Sequence, residues 1–353
     1  MLALREHACP KRATFVANLT IDEFRAIASV SRQRQCKSDI KATFTRIIEW
    51  AAKHAANAGV VEFTYRFGAG KDFGRMTAPS MQIAPRDIRG FLCVSEDSGK
   101  PVCTDLDFDN AHPVILHWRC HKHGVVCNAL SDFVANRRAR MDEMMESTGM
   151  SKDECKSMFL AAVNSQRESS RADVTPFFKE LDRECKAIQA AFLQLAEYRF
   201  ILPYAEKAAN EKLEERKAER RRDRKTSNGL TANVAGSFIN LVLCYWENQM
   251  LGVARGRLEE LGLTITCLNF DGCMVLGDHY PGGDQPTVKD AVLCPSVESA
   301  LHEAFGIRMG VSLKRHSTNL VYSAEGLKVP YAKFAEQWLA RICRVGSEYV
   351  VEL

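Results

Sequence analysis

Two separated groups of aspartates stand out because each lies in an otherwise apolar stretch. Asp271 interrupts the run "LTITCLNFDGCMVLGD", and Asp105, Asp107 and Asp109 alternate in "VCTDLDFDNAHPVIL". A buried carboxylate is costly unless it is paired or binds a metal ion. Alternating residues on a strand point to the same face, so the second group can present several carboxylates together.

Carboxylates from the two groups, brought together, predict a site for divalent cations, because hard cations prefer oxygen ligands. Two such ions can activate an attacking oxygen and neutralise a leaving phosphate, as in polymerases and nucleases. An EF-hand calcium loop is rejected, since Asn110 stands where that motif needs glycine and Leu116 where it needs glutamate. The alternative without a metal is an exposed edge strand followed by a helix that Asp109 or Asn110 caps.

A second set of potential metal ligands lies in "HWRCHKHGVVC", namely His117, Cys120, His121, His123 and Cys127. His117, Cys120 and His121 fall near one face of a helix. The segment continues an amphipathic helix, however, and no second Cys/His pair follows at the spacing of a zinc finger. We therefore interpret it as helix rather than as a zinc site.

The composition is that of a soluble globular protein. The chain has 353 residues, 46% hydrophobic and 26% charged, which allows two or three structural units or one multi-lobed enzyme. No stretch resembles a transmembrane span or the apolar core of a signal peptide. Thirteen cysteines without a C-x-x-C pair favour free thiols in a reducing compartment. We expect an intracellular protein, in the nucleus, the cytoplasm or a viral factory, that is not secreted.

The net charge of +4 arises in one segment. From Lys207 to Lys225, nine Lys or Arg residues accompany five Asp or Glu, so the rest of the chain is neutral overall. A solvated helix surface is one interpretation. Clustered cations also attract phosphates, and the arginines of "ERRRDRK" favour a nucleic-acid contact.

Hydrophobic periodicity predicts an α+β body interrupted by a helical lobe. Residues 1–62 are expected to be mainly helical, with one helix ending at Gly59, and residues 63–130 to carry strands and the first aspartate group. Residues 131–231 are expected to form a helical insert with the basic run. Residues 232–353 begin with a long helix, followed by the Asp271 hairpin and C-terminal strands that include "MGVSLK" and "EYVVEL".

Three local predictions complete the pattern. The segment "FLCVSEDSGKPVCTDLDF" is expected to be a hairpin that turns at Asp97–Lys100. The helical insert is expected to break near residues 164–170 and at Pro203. A helix is expected over Ser296–Phe305.

Three motifs follow one another in an order that is typical of one enzyme family. "GRMTAPSMQIAPRDIRGFL" precedes the first aspartate group, "TDLDFDNAHPVIL" contains it, and "NFDGCMV" contains Asp271. Together they resemble the palm of family A DNA polymerases, more closely the divergent palm proteins of large DNA viruses and mobile elements. The resemblance covers roughly residues 63–275. It implies a right-hand fold: a palm with an antiparallel sheet, a helical fingers insert and a short, thumb-like helical N-terminal region.

The resemblance also implies an activity, template-directed nucleotidyl transfer from dNTPs onto a primed DNA template in DNA replication. Asp107 and Asp271 match the family's catalytic aspartates, which hold two Mg²⁺ ions, or Mn²⁺ in their place, and Asp105 is the alternative to Asp107. Lys152 and Lys156, four residues apart on one helical face, match the fingers cations that bind the triphosphate.

Contacts to primer and template follow from the same resemblance and from the basic run. Arg75 falls where the family contacts the minor groove at the primer end. The residues expected to hold nucleic acid without reading its sequence are Arg75, Gln82, Arg86, Arg89, Arg220, Arg221 and Arg222. A helicase, a primase or other replication proteins are the expected protein partners, and no membrane is expected.

The chain departs from the family at several positions. Phe270-Asp271-Gly272 replaces His-Asp-Glu, so one acidic residue is missing, and a glycine there permits a tight turn or a close backbone approach. His112 replaces the sugar-selecting glutamate, and the fingers aromatic is absent. Glu247 is either a third acidic group near the metals or an exposed helix residue. The alternative functions are a non-catalytic nucleic-acid-binding protein and a metal-dependent nuclease.

Overall fold

The computed structural model describes residues 1–22, 24, 40–68, 71–84, 86–95, 98–222, 226, 229–280, 288–314, 316, 321–323 and 326–328. Within these ranges the fold is α+β with antiparallel sheets, which confirms the predicted class. Every cysteine that the structure describes is a free thiol. No helix in the same ranges is long and apolar enough to cross a membrane.

The first sheet has the order β1-β2-β3, formed by β1 (Leu2–His7), β2 (Val60–Phe67) and β3 (Met76–Thr77). The predicted strand at "VVEFTYRF" is therefore confirmed, but the expectation of a mainly helical N-terminus is wrong for β1. Alternation was hidden there because an inward position carries Glu6, a fully buried carboxylate. Glu6 accepts hydrogen bonds from Trp50 Nε1 at 3.0 Å and Tyr65 Oη at 3.1 Å, so its burial is compensated.

Helix α1 (Pro10–Ala17) packs on α2 (Ile40–Ala56), and α2 packs on this sheet, where its Trp50 bonds to Glu6 of β1. The predicted stop at Gly59 is confirmed, since Gly59 has φ 84° and donates its N–H to His54 O at 2.8 Å. Next comes α3 (Arg86–Leu92), so the predicted hairpin is wrong in its first arm. The rest of the hairpin is present, because the bridge between Val94 and Pro101 is flanked by hydrogen bonds from Ser95 N to Lys100 O at 2.8 Å and from Val102 N to Cys93 O at 2.6 Å. Asp97, in its turn, lies outside the described residues.

The second sheet has the order β5-β6-β4-β7 and positions the candidate site. Its strands are β4 (Cys103–Phe108), β5 (Ile265–Asn269), β6 (Gly272–Leu276) and β7 (Val311–Lys314), all antiparallel. Strand β4 lies in the interior, paired with β6 on one side and β7 on the other. Both sheets share one continuous hydrophobic core.

Three helices accompany the second sheet. They are α4 (Ala111–Lys122), α9 (Val234–Glu260) and α10 (Val288–Phe305). The long helix predicted before the Asp271 hairpin is α9. Helix α10 begins earlier than the predicted Ser296, and it contains Pro295 in its interior.

The helical insert comprises α5 (Asn128–Thr148), α6 (Lys152–Asn164), α7 (Pro176–Leu193) and α8 (Leu202–Arg222). The break predicted near residues 164–170 separates α6 from α7. Pro203 is the second residue of α8, directly after a 3₁₀ turn over Ala196–Ile201. A short hairpin of β8 (Val321–Ser323) and β9 (Gly326–Lys328) follows β7, and the predicted strand "EYVVEL" lies outside the described residues.

Candidate active site

Asp107 and Asp271 lie at neighbouring strand ends. Asp107 is paired with Gly272 in the register of β4 and β6. Asp271 occupies the two-residue turn between β5 and β6, after Phe270, which takes a left-handed backbone with φ 56°. Bulky residues seldom adopt this conformation. The amide of Phe108 donates to Asp271 O at 3.0 Å, so the turn is tied to the end of β4.

Gly272 is required by the close approach of β4. A Cβ atom at this position would lie 2.2 Å from Leu106 O and 2.7 Å from Asp107 Oδ1. Both distances are far inside van der Waals contact. The missing acidic residue of the second motif therefore has a steric explanation, and the close backbone approach expected for this glycine is confirmed.

The other two aspartates of the first group have different surroundings. The Asp105 carboxylate accepts a weak hydrogen bond from Asn269 Nδ2 at 3.4 Å and does not line the cleft described next. Asp109 lies beyond the end of β4 and accepts a hydrogen bond from Ser312 Oγ at 2.7 Å. Asp107 is thus better placed than Asp105 to act with Asp271.

A cleft of about 1080 Å³ opens between the second sheet and the helical insert. Its wall contains seven residues that the sequence analysis singled out and that come from distant parts of the chain. These residues are Arg75, Asp107, Asp109, His112, Lys152, Lys156 and Asp271.

The two carboxylates of the cleft differ in their charge environment. Asp107 forms an ion pair with Lys314 of β7. Asp271 has no Lys, Arg or His within ion-pairing distance in the described part of the chain. Burial, and then the negative charge of Glu247, raise the pKa of Asp271 above its ordinary value. Asp271 is therefore an under-compensated carboxylate that a cation would stabilise.

Asp107 and Asp271 fit the kind of Mg²⁺ site in which water and substrate phosphates supply most of the ligands. Mg²⁺ is usually bound by one or two carboxylates with water and substrate phosphates, rather than by an all-protein cage. Asp107 and Asp271 supply two carboxylates. The compact groups of three potential metal ligands in the described residues are His112–Cys244–Glu247 and His117–His121–Cys127, and neither includes these aspartates. The remaining oxygen ligands would come from the main chain, water or phosphate.

Glu247 is fully buried beneath the cleft, so its interpretation as an exposed helix residue is wrong. Its carboxylate accepts two hydrogen bonds from Arg75, at 2.6 and 2.8 Å, and lies 2.9 Å from His112 Nε2. Arg75 in turn lies over the ring of Phe270, with 5.1 Å between Cζ and the ring centroid. Glu247 thus fixes two cationic side chains of the cleft wall.

This pairing shifts the pKa of each partner. Burial alone would lower the pKa of His112, but its interactions with Cys244 and Glu247 outweigh burial and raise the pKa to about 9. Burial alone would raise the pKa of Glu247, yet Arg75 and His112 hold it below its ordinary value. His112 is therefore a cation at neutral pH and Glu247 an anion.

Lys152 and Lys156 occupy the first two turns of α6. A capping box starts this helix, in which Ser151 Oγ accepts from Glu154 N at 3.4 Å and Glu154 Oε2 accepts from Ser151 N at 2.8 Å. Phe159 of α6 stacks on Phe133 of α5 at 4.5 Å between ring centroids. Both lysines are solvent-exposed and line the cleft.

Three further cations of the cleft wall were not anticipated. Arg137 and Arg138 come from α5, next to a kink at Asn136, and Lys314 ends β7. The basic run "NRRAR" is visible in the sequence and marks these arginines. Hydrophobic periodicity alone does not show which face of the helix they occupy. Nothing in the sequence marks Lys314, because its role depends on the pairing of β7 with β4.

Of the other predicted nucleic-acid contacts, those whose side chains the structure describes do not line the cleft. Gln82 braces its own loop, accepting from Ala78 N and donating to Met76 O. Arg89 donates to Asn269 Oδ1 at 3.4 Å. Arg86 begins α3, and its side chain lies outside the described residues. The three arginines of the basic run, Arg220, Arg221 and Arg222, end α8, where the second and third are exposed and the first donates to Thr226 O.

Comparison with known proteins gives limited similarity. No family model matches the chain. The putative helicase V13 of the Sputnik virophage is 29% identical over 93 residues, which is 26% of this chain and 11% of that protein. The chain thus spans about a tenth of the length of this relative.

Several solved structures show a distant similarity, among them the POL domain of Pol1 from M. smegmatis in complex with a DNA primer-template and dNTP. The similarity covers 87% of this chain and 63% of that chain, with 13% sequence identity and a TM-score of 0.37. At these values it carries no argument about fold or activity.

Proposed function

We propose that this chain is a template-directed nucleotidyltransferase that extends a DNA primer and uses Asp107 and Asp271 as ligands of divalent metal ions. One observation carries the proposal. The two carboxylates come from distant parts of the chain and line the same cleft as Lys152 and Lys156. Acidic metal ligands facing a pair of cations suit a substrate that is a metal-bound triphosphate.

Asp107 and Asp271 would hold the metal ions, which would supply a lowered pKa for the primer 3′-hydroxyl and stabilisation of charge on the transferred phosphate. Lys152 and Lys156 bind the triphosphate as point charges, since exposed ammonium groups one helical turn apart can reach neighbouring phosphates. Lys314 neutralises Asp107 in the free protein.

The primer end binds near Arg75 and Phe270. Glu247 holds the Arg75 guanidinium in one orientation, which pre-organises it for a nucleic-acid contact. The ring of Phe270 is 42% exposed beside it and offers an aromatic face for a base. His112 lies at the same wall, with its Nε2 atom 2.9 Å from the Glu247 carboxylate.

The place of this activity is DNA replication. The local similarity to a putative virophage helicase supports a setting in which a helicase supplies the single-stranded template. Arg220, Arg221 and Arg222 add electrostatic attraction for the phosphate backbone outside the cleft.

Primer extension tests the proposal. The wild type is expected to extend a primed template with Mg²⁺ or Mn²⁺ and dNTPs, and Asp271→Asn to lose at least ~100- to 1000-fold in rate. Asp105→Asn is the matched control, because Asp105 lies outside the cleft, and it is expected to retain activity. Degradation of DNA without dNTPs would indicate a nuclease instead. Salt-sensitive DNA binding with no extension by any variant would leave only a binding protein.

A further inference from the structure

The end of α4 and the start of α5 bring together three side chains that the proposed activity does not use. His117 and His121 lie one turn apart on α4, and Cys127 precedes α5. One potential ligand atom of each lies within 4.8 Å of the other two. We propose that these three residues bind a Zn²⁺-class transition-metal ion, with water as the fourth ligand.

The two imidazoles already face each other. Their Nε2 atoms are 2.9 Å apart, so one N–H donates to the lone pair of the other ring. In a tetrahedral Zn²⁺ site with Zn–N bonds of 2.0–2.1 Å, the two nitrogens would lie about 3.3 Å apart. A small outward rotation of either ring therefore makes room for an ion at the place of the shared proton.

The third ligand is held in place by the turn between the helices. Gly124, with φ 64°, ends α4 in a Schellman motif, in which Val125 N donates to Cys120 O at 2.9 Å and Gly124 N to His121 O at 3.3 Å. This turn brings Cys127 back toward the preceding helix. Sequence spacing alone does not show this return, because it depends on the left-handed glycine.

The start of α5 is fixed in turn. Ser131 N and Oγ donate to Cys127 O at 2.9 and 2.7 Å, and the Glu184 carboxylate of α7 accepts from Ala129 N and Leu130 N. Cys127 therefore has a pre-organised main chain. An ion bound here would clamp α4, which begins just after Asp107, to α5, which carries Arg137 and Arg138.

The donor set selects the class of ion. Two imidazole nitrogens and one thiolate are borderline-soft ligands that suit Zn²⁺ and Co²⁺ and not Mg²⁺. His121 is exposed whereas Cys127 is 4% exposed, so the site has an open side for water. His123 is not part of it, because its ring contacts Arg119 and Glu197.

Metal binding to the full-length protein tests the site independently of any polymerase activity. Titration with Co²⁺ is expected to give one tetrahedral ion per chain with a thiolate-to-cobalt absorption band, and Zn²⁺ to displace it and raise the Tm. Cys127→Ser is expected to lose the thiolate band. His121→Gln is expected to weaken binding by more than the ~10- to 100-fold that changes to outer-shell partners cause.

His302→Gln is the matched control, since it removes another exposed histidine from a helix, and it is expected to bind Co²⁺ like the wild type. Because His121 is exposed, His121→Gln is expected to fold, which circular dichroism checks. The site does not exist if the wild type shows no thiolate band. Equal Co²⁺ affinity in the wild type and His121→Gln would also overturn it, leaving only a hydrogen-bonded histidine pair.

Discussion

Gly272 lies directly opposite Asp107 in the paired strands β4 and β6, and there is no space for a Cβ atom between them. Such an atom would lie 2.7 Å from Asp107 Oδ1. Glycine at this position permits the close approach of the two strands. The proposed metal site then rests on Asp107 and Asp271, while Asp109, the other acidic residue of the two motifs that lines the cleft, accepts a hydrogen bond from Ser312.

Gly272→Ala is expected to destabilise the protein by about 1–3 kcal/mol, the usual cost of overpacking a core, because β4 must move. Displacement of Asp107 is expected to slow primer extension as well. Urea denaturation and extension rates measure the two effects. Gly252→Ala is the matched control, since no atom lies near its Cβ position on α9, and a gain of about 0.5–1 kcal/mol is expected there. If Gly272→Ala had the stability and extension rate of the wild type, β4 and β6 would have to lie farther apart at this position.

Glu247→Gln is expected to lower the free energy of unfolding by about 3 kcal/mol, because it removes the buried anion that faces Arg75 and His112. Glu260→Gln removes a glutamate from the same helix that is paired with Arg257 but 67% exposed, and should change stability by less than about 1 kcal/mol. Chemical denaturation of both variants measures the difference. Equal, small losses of unfolding free energy in the two variants would mean that the Glu247 carboxylate is open to water.

The stability contributed by His112 is expected to depend on pH. Its pKa is about 9 in the folded protein and 6.5 for the unperturbed group, so the contribution is complete below pH 6.5 and is lost as the pH rises through 9. The difference in unfolding free energy between wild type and His112→Gln should therefore shrink by up to about 3 kcal/mol between pH 6 and pH 10.

The neighbouring groups that set this window are Arg75, Cys244, Glu247 and Asp271. Glu247 acts in the opposite direction, because its pKa is lowered and its contribution is lost only as the pH falls below its ordinary range. A constant difference between wild type and His112→Gln from pH 6 to pH 10 would show that His112 is neutral in the fold.

Lys152→Ala and Lys156→Ala are each expected to raise the KM for dNTP by roughly 10-fold, since a hydrogen bond to a charged group contributes about 1.5 kcal/mol. Affinity for the primed template should change little. Steady-state extension kinetics and DNA binding separate the two quantities. Lys207→Ala, an exposed lysine of α8 away from the cleft, should leave KM unchanged. A loss of DNA affinity without a change in KM would place these lysines on the template instead.

Periodicity and local chemistry were sufficient where one face of an element is apolar. This holds for α2, for β2 and for β4, which carries Asp107. It failed at β1, where Glu6 takes an inward position through hydrogen bonds to Trp50 and Tyr65. A buried polar network has no signal in a hydrophobic pattern, because its partners are distant in sequence.

The same limit applies to the candidate site. The two aspartates were predictable because charges inside apolar strands are rare, and the lysines because of their spacing. The role of Glu247 was not predictable. Because α9 is apolar on most of its circumference, its hydrophobic pattern does not show which neighbours an acidic residue on it will meet. Lys314 and the His117–His121–Cys127 group depend on strand pairing and on a turn, which only the fold supplies.

The most direct test of the central claim is the position of a bound Mn²⁺ ion, measured by anomalous diffraction from crystals of the protein with primer-template and an incoming nucleotide. We expect an ion roughly 2 Å from a carboxylate oxygen of both Asp107 and Asp271. The peak should be absent in Asp271→Asn and present in Asp105→Asn. An ion bound elsewhere in the cleft, or no ion in a complex that still extends primers, would contradict it.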